Sequence, residues 1–444
     1  MTRRLMERLP IGHPKKRRSD ISGFHKLDPS DRLEAVRKFS GLSVVDTEAL
    51  LNGLSITTAE HMIENVVGVI SLPLGIATNF LVDGKDYLVP MAIEESSVVA
   101  AASNAAKMCR PTGGFATRAD PPMMIGQIQL SNVSDPHDVK ARIDAGLKEI
   151  MDVANIPSST LVKMGGGLKE IDVRRVERVA GPMIVVHLLV DVRDAMGANA
   201  VNTISERVAP IIERLTGGSA GLKIVSNLAT SRLARASAVW SRQALVESFK
   251  GVEISGEEIE DRIISAWRFA VDDIYRCATH NKGIMNGVDA VLIACGNDWR
   301  AVEAGAHTYS RVIGSPLTRY EKLPGGGIRG HIELPLSVGT IGGATKINPG
   351  AHTCLKVLGT QSSTEFARVI AAVGLANNFA ALRALATEGI QRGHMKLHAT
   401  NIAVEAGCHG KEIEVVAEQM ISEKNVNVSR AKEILVRVRE QLLT

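Results

Sequence analysis

The order of elements between Pro121 and about Asn227 limits the fold most. A strand-like run over 124–131 is followed by helical spacing over 138–153 and by a loop of three glycines, Gly165, Gly166 and Gly167. Two more strand-like runs (170–176 and 184–190), a helix over 199–215 and a last strand-like run at 222–226 complete it. This strand, helix, two strands, helix, strand pattern predicts a compact α+β domain inserted into a larger one.

The flanking chain is mainly helical. Leu33, Val36, Phe39, Leu42 and Val45, then 47–54, repeat at spacings of three and four. An Asp83-Gly84 turn between alternating runs predicts a hairpin over 80–89, and the alanine-rich stretch 94–107 predicts a helix with Glu94 and Glu95 in its first turn. Further on, 263–274 reads as helix, 289–295 as a short strand, 323–330 as a hairpin turn and 365–387 as a long apolar helix. Two more helices with a link near Asn425 close the chain.

With 444 residues, 45% hydrophobic and 23% charged, the chain can build two or three cores of ordinary composition. The apolar region 66–82, read as the longest, contains Pro73, two glycines and Asn79 and is too short and interrupted for a membrane span; residues 1–20 have no apolar core for a secretory signal. Five scattered cysteines (Cys109, Cys277, Cys295, Cys354, Cys408) form no ligand-like set and read as reduced, cytoplasmic thiols. A net charge of +4 is mild and supports no argument for nucleic-acid binding across the whole chain. The basic cluster at Lys15, Lys16, Arg17 and Arg18 lacks the aromatic residues of a single-strand binding platform, so a solvated or subunit-contacting arm is expected.

Lys282 is the candidate for chemistry, read as lying in a polar, glycine-punctuated loop, with Asp298 one strand length further on as its partner carboxylate. An ordinary surface lysine in a turn fits the same pattern. Two places could hold phosphate: the triple glycine, and 191–199, where a glycine-containing turn runs into a helix whose first N–H groups lack partners. No G-x-G-x-x-G follows a first strand, so the usual dinucleotide fingerprint is absent. The glycines of 339–345 permit close backbone approach to a ligand or to another helix. His394 and His398 stand four apart, but without a neighbouring glutamate and with Gly393 beside them they suggest no metal site.

Seven motifs occurring in one order carry a specific resemblance: Glu64-Asn-Val-Val-Gly68; Asp83-Gly84 through Val89-Pro-Met-Ala-Ile-Glu-Glu95; Asp194-Ala-Met-Gly-Ala-Asn199; His280-Asn-Lys-Gly-Ile-Met-Asn286; Gly296-Asn-Asp-Trp-Arg-Ala-Val-Glu303; 339–345; and Gly393-His394. Over about residues 50–410 the chain resembles soluble, class II 3-hydroxy-3-methylglutaryl-CoA reductases. The resemblance implies a large, mainly helical domain with β elements (1–121 and 227–389), an inserted ferredoxin-like cofactor domain (122–226) and a small helical C-terminal flap (390–444). It also implies a cytoplasmic homodimer with shared active sites, for which a hexamer built as a trimer of dimers is open, with no metal, membrane or nucleic acid involved.

Reducing a thioester to an alcohol takes two hydrides and needs oxyanion stabilisation at both reductions. By resemblance Lys282 polarises that oxygen, Asp298 sits beside it, Glu95 donates a proton near the aldehyde oxygen and His394 protonates the departing CoA thiolate. Ser97, Asn227, Arg276, Asn286 and Asn377 are then substrate contacts, Arg276 meeting the terminal carboxylate of HMG-CoA; Asn377 stands where some relatives have glutamine. Ser158, Gly165, Gly166, Gly167, Asp194, Met196, Gly197 and Asn199 would hold NADP(H) or NAD(H). Ser158 occupies the position of an acid in NAD-preferring relatives; it does not repel a 2′-phosphate, which favours NADP(H), although no arginine adjoins it in sequence. Two readings stay open: the same enzyme run oxidatively on mevalonate, and a non-enzymatic nucleic-acid binder using the basic arm.

Overall fold

The computed structural model describes residues 17–133, 135–177, 183–248, 254–387 and 399–442. Among the described residues, ten strands form two sheets. The larger runs in the order β2 (Lys85–Ala92), β1 (Leu74–Val82), β3 (Phe115–Ala119), β8 (Leu233–Trp240), β10 (Ile328–Pro335), β9 (Thr318–Lys322), antiparallel except where β1 meets β3. The expected hairpin joins β1 and β2: Asp83 (φ 48°) and Gly84 (φ 77°) both take positive φ, as a two-residue turn matching strand twist requires.

The smaller sheet has the order β5 (Gly167–Val176), β6 (Met183–Asp191), β4 (Met123–Ser131), β7 (Ser219–Ser226), antiparallel throughout. Two short helices, Val139–Ala145 and Leu147–Ala154, link β4 towards β5, and Ala198–Thr216 links β6 to β7. This is the ferredoxin-like arrangement. The stretch 138–153 is thus two helices and not one; they meet at Gly146, where Leu215 of the crossing helix takes the space a Cβ would need. The unit has its own apolar cluster, including Ile128, Val186, Leu188, Val201 and Ile212. The chain is an α+β protein.

Against the larger sheet pack Val98–Cys109, Ile274–Ala294 and Ser363–Thr387. The last is long and apolar enough to cross a membrane, yet most of it is buried in the core, where Phe379 stacks on Trp240 of β8 with ring centroids 3.7 Å apart. Helices Lys411–Ser422 and Val428–Leu442 bury Val416, Met420, Ile434 and Leu435 in a separate cluster.

Three sequence expectations fail here. Lys282 is not in a loop and 289–295 is not a strand: Ile274–Ala294 is one continuous helix, capped where the Asp273 side chain accepts from the Arg276 N–H at 2.7 Å. Tertiary packing overrides the β-branched, glycine-rich composition. Val288, Val291 and Leu292 are fully buried, and a Cβ at Gly287 would stand 3.0 Å from that of Asn377, so glycine is what lets the two helices approach. Likewise Glu94 and Glu95 are not in a first helical turn. The helix begins at Val98, and both acids stand in the turn after β2.

Candidate active site

The turn after β2 is shaped by Ser97, which takes φ 73° at the helix N-terminus, a left-handed conformation that a side chain makes costly. Glu95 is thereby carried to the lysine helix. Its Oε2 accepts from Lys282 Nζ at 2.9 Å and from Asn286 Nδ2 at 3.2 Å. Lys282 and Asn286 are one helical turn apart and so share a face. The lysine side chain is 59% exposed, which leaves the ammonium open to a ligand.

The third helix closes the group. Asn377 donates to the Gly283 carbonyl at 2.7 Å, while its Oδ1 is buried without a partner. Arg276 is half-buried, and desolvation pulls its guanidinium below the usual range; among the described residues it has no acidic partner. A cation in that state is completed by a carboxylate from outside. Asn227, in the turn after β7, lies apart from these contacts: its carbonyl packs where a Cβ on Gly305 would stand.

Asp298 does not sit in an ion pair with Lys282. Its carboxylate caps the next helix (Trp299–Ile313), accepting from Ala301 N–H at 3.1 Å, with Arg300 Nη2 at 3.6 Å. The predicted separation of one strand length is a helix end and a turn instead, so the first partner of Lys282 is Glu95. His394 and His398 lie outside the described residues, as do Lys15 and Lys16.

The two glycine elements meet at one end of the smaller sheet, where Gly167 is the register partner of Asp191. Gly165 (φ 83°) and Gly167 (φ 101°) need positive φ, and Arg193 donates to the Met164 carbonyl at 2.9 Å and lies over Gly165. An arginine distant in sequence therefore stands at this loop, although none adjoins Ser158, which is exposed just ahead of it. Gly197 (φ 106°) occupies the N-cap of the 19-residue helix Ala198–Thr216, with Asn199 in its first turn, and supplies no side-chain cap. The first N–H groups of that helix are free to meet phosphate, so the residues present fit a nicotinamide dinucleotide.

This turn is also anchored to the larger unit. Asp194 Oδ1 accepts from Ser363 N–H at 2.8 Å, and its carbonyl accepts from Thr340 N–H at 2.9 Å. Gly339 is required because a Cβ there would come within 2.5 Å of the Met196 nitrogen, so the close approach is to another loop and not to a helix. Arg232, only 4% exposed, donates to the carbonyls of Ala195, Met196 and Val338, and burial draws it down to about 10. Asn297 exchanges two hydrogen bonds with the Gly339 backbone. Sequence reasoning gave no role to Arg232, Ser363 or Asn297: Asn297 stands within the Gly296–Glu303 motif, and nothing in the neighbours of Arg232 and Ser363 marks them.

A lysine bridged to a carboxylate, with an uncapped helix end beside a glycine loop on the smaller sheet, is suited to an oxidoreductase that acts on a carbonyl. Residues 28–399 match the hydroxymethylglutaryl-coenzyme A reductase family, and the chain belongs to it. It is 54% identical over 423 residues to the 3-hydroxy-3-methylglutaryl-coenzyme A reductase of Archaeoglobus fulgidus, with 95% of each chain covered. To the probable enzyme of Borreliella burgdorferi it is 35% identical, with 85% of each covered. The Streptococcus pneumoniae enzyme superposes with a TM-score of 0.79 at 39% identity, covering 94% of this chain and 99% of that one. Another structure of the class II S. pneumoniae enzyme, bound to NADPH in open conformations, superposes with a TM-score of 0.78 at 39% identity over 82% of this chain and 99% of that one.

Proposed function

We propose that this chain reduces 3-hydroxy-3-methylglutaryl-CoA to mevalonate and CoA through Lys282 and Glu95, with NADP(H) favoured over NAD(H). The observation that carries this reading is the Lys282–Glu95 contact of 2.9 Å, built from two elements 187 residues apart in sequence. Lys282 presents its ammonium to the thioester and later the aldehyde oxygen, lowering the cost of the developing negative charge. Glu95, hydrogen-bonded to that same ammonium, is placed to give the oxygen its proton. Arg276 takes the terminal carboxylate, Asn286 and Asn377 orient the chain, and Ser97 and Asn227 are assigned to the substrate on the resemblance. Asp298 joins the proton chain on the same ground, as a secondary partner behind Glu95. His394 is assigned to the departing thiolate. The bound nucleotide supplies the hydride at each reduction.

NADPH bound to the S. pneumoniae relative, Ser158 in place of an acid, and Arg193 beside the glycine loop all support use of the phosphorylated cofactor. For the oligomer, Ile63, Val67 and Ile70 are 64%, 100% and 94% exposed in the irregular stretch ahead of β1, next to the Glu64–Gly68 motif. Such an apolar strip is what a homodimer with shared sites would cover. The division into large domain, inserted cofactor domain and C-terminal flap belongs to the same proposal, as does a cytoplasmic location.

The test is nucleotide oxidation with the thioester, assayed in both directions, for wild type and Lys282→Ala. The variant is expected to fold and to lose ~10²–10³-fold in turnover. Substantial activity in folded Lys282→Ala would overturn the assignment.

A further inference from the structure

The turn that leads from β6 into helix Ala198–Thr216 is held from behind by an arginine that has no carboxylate against it among the described residues. Arg232, the residue before β8, is 4% exposed. Its guanidinium donates to the carbonyls of Ala195 at 3.3 and 3.4 Å, Met196 at 3.2 Å and Val338 at 2.5 Å. Burial lowers it to about 10, so it stays charged at neutral pH. The two acids of the turn are engaged elsewhere: Asp191 Oδ2 lies 3.5 Å from Arg193 Nη1, and Asp194 Oδ1 accepts from Ser363 N–H at 2.8 Å. A buried cation spent only on backbone is costly. A neutral side chain can make such a link, as the amide of Asn297 does to the Gly339 backbone.

The peptide units that Arg232 binds give the charge a use. They are trans, so each carbonyl points opposite to the N–H of the residue that follows it. With the Met196 carbonyl turned to Arg232, the Gly197 N–H is turned away from it, and that N–H has no partner among the described residues. Gly197 is the N-cap of Ala198–Thr216, so its N–H stands with the uncapped first N–H groups of the helix. The turn is strained, with Arg193 at φ 53° and Gly197 at φ 106°. Reversing the Met196–Gly197 peptide would put a carbonyl oxygen where a phosphate is to sit, and a cation bound to that oxygen opposes the reversal and polarises the N–H. We propose that Arg232 is a positioning residue for the nucleotide, fixing the Met196–Gly197 peptide with its N–H towards the pyrophosphate without touching the ligand itself. The inference rests on the reading that the turn 194–199 holds the nucleotide.

The test compares Arg232→Met and Arg232→Lys with wild type. It reads thermal melts, kcat, KM for thioester and for NADPH, and competition against NADPH by inorganic pyrophosphate and by adenosine 2′-monophosphate, which has no pyrophosphate. Arg232→Met is expected to raise KM for NADPH ~10-fold or more and to weaken competition by pyrophosphate to the same degree, with KM for the thioester and competition by adenosine 2′-monophosphate held. Arg232→Lys, which keeps the charge but not the fork of donors, recovers part of both losses. NADPH and pyrophosphate binding unmoved in Arg232→Met, or losses shared equally by adenosine 2′-monophosphate and the thioester, would overturn the proposal. If Arg232→Met does not fold, Arg232→Lys decides: weaker pyrophosphate competition with adenosine 2′-monophosphate untouched supports the role, and unmoved pyrophosphate competition overturns it. Hydrogen exchange over 194–200 in wild type separates the two failures. Without protection by NADPH, the turn does not hold the nucleotide; with protection, and with Arg232→Met binding NADPH as wild type does, only this inference falls.

Discussion

Lys282 gains its meaning from what faces it. A lysine 59% exposed on a helix is unremarkable until Glu95 arrives from the turn after β2 and Asn286 fixes the same carboxylate oxygen. Residue-scale predictions follow from such pairings. A thiolate leaving the hemithioacetal needs an acid of its own, whereas reduction of the free aldehyde releases no thiolate and takes its proton at the oxygen from Glu95. His394→Ala should therefore reduce thioester turnover ~10²-fold while mevaldehyde reduction changes little; equal losses in the two assays would show that the histidine does something else. At the cofactor end, Ser158→Asp restores a charge that repels a 2′-phosphate. We expect wild type to use NADPH at least as well as NADH, and the variant to shift kcat/KM towards NADH by ~10-fold or more. A wild type strongly favouring NADH would show that this loop does not govern the choice.

At the scale of elements, the site depends on how closely two helices pass. Gly287 faces Asn377 and Val373, and the same contact lets Asn377 reach the Gly283 carbonyl at 2.7 Å. Gly287→Val must push the helices apart, at a cost of ~1–3 kcal/mol. It should lower the denaturant midpoint and raise KM for the thioester more than KM for the nucleotide, because the nucleotide elements lie elsewhere. A melt equal to wild type would mean that the helices have slack that the distances do not suggest. The helix ends matter as much as their middles: Gly197 leaves Ala198–Thr216 without a side-chain cap, and Asp273 and Asp298 cap the two helices that enclose the lysine.

On the scale of the molecule, specific contacts tie the turn after β6 to the elements around the larger sheet. Buried Arg232 spends its guanidinium on three carbonyls, and Ser363 at the head of the longest helix holds Asp194. The exposed strip at Ile63, Val67 and Ile70 has no counterpart in the chain to cover it among the described residues. Replacing Val67 and Ile70 together with aspartate should convert a dimer into folded protomers, seen by sedimentation, and lower turnover per chain by ~10-fold or more. An unchanged sedimentation coefficient would place the subunit contact elsewhere.

The order of strands and helices in 122–226, the Asp83-Gly84 hairpin and the long apolar helix were legible in the sequence because each rests on local periodicity or turn chemistry. The motifs in fixed order also singled out Lys282, Glu95 and the turn at Gly197, while the triple glycine stood out by its composition alone. What sequence misjudged was decided by packing across long separations. A run rich in glycine and β-branched residues became a helix because the neighbouring helix and the sheet bury it, and Glu95 left the helix start because Ser97 turns the chain at positive φ. The partner of Lys282 changed from Asp298 to Glu95 for the same reason. Arg232 carries no local signal: a buried charge is chosen by the groups that desolvate and hydrogen-bond it, and those come together only in the folded chain.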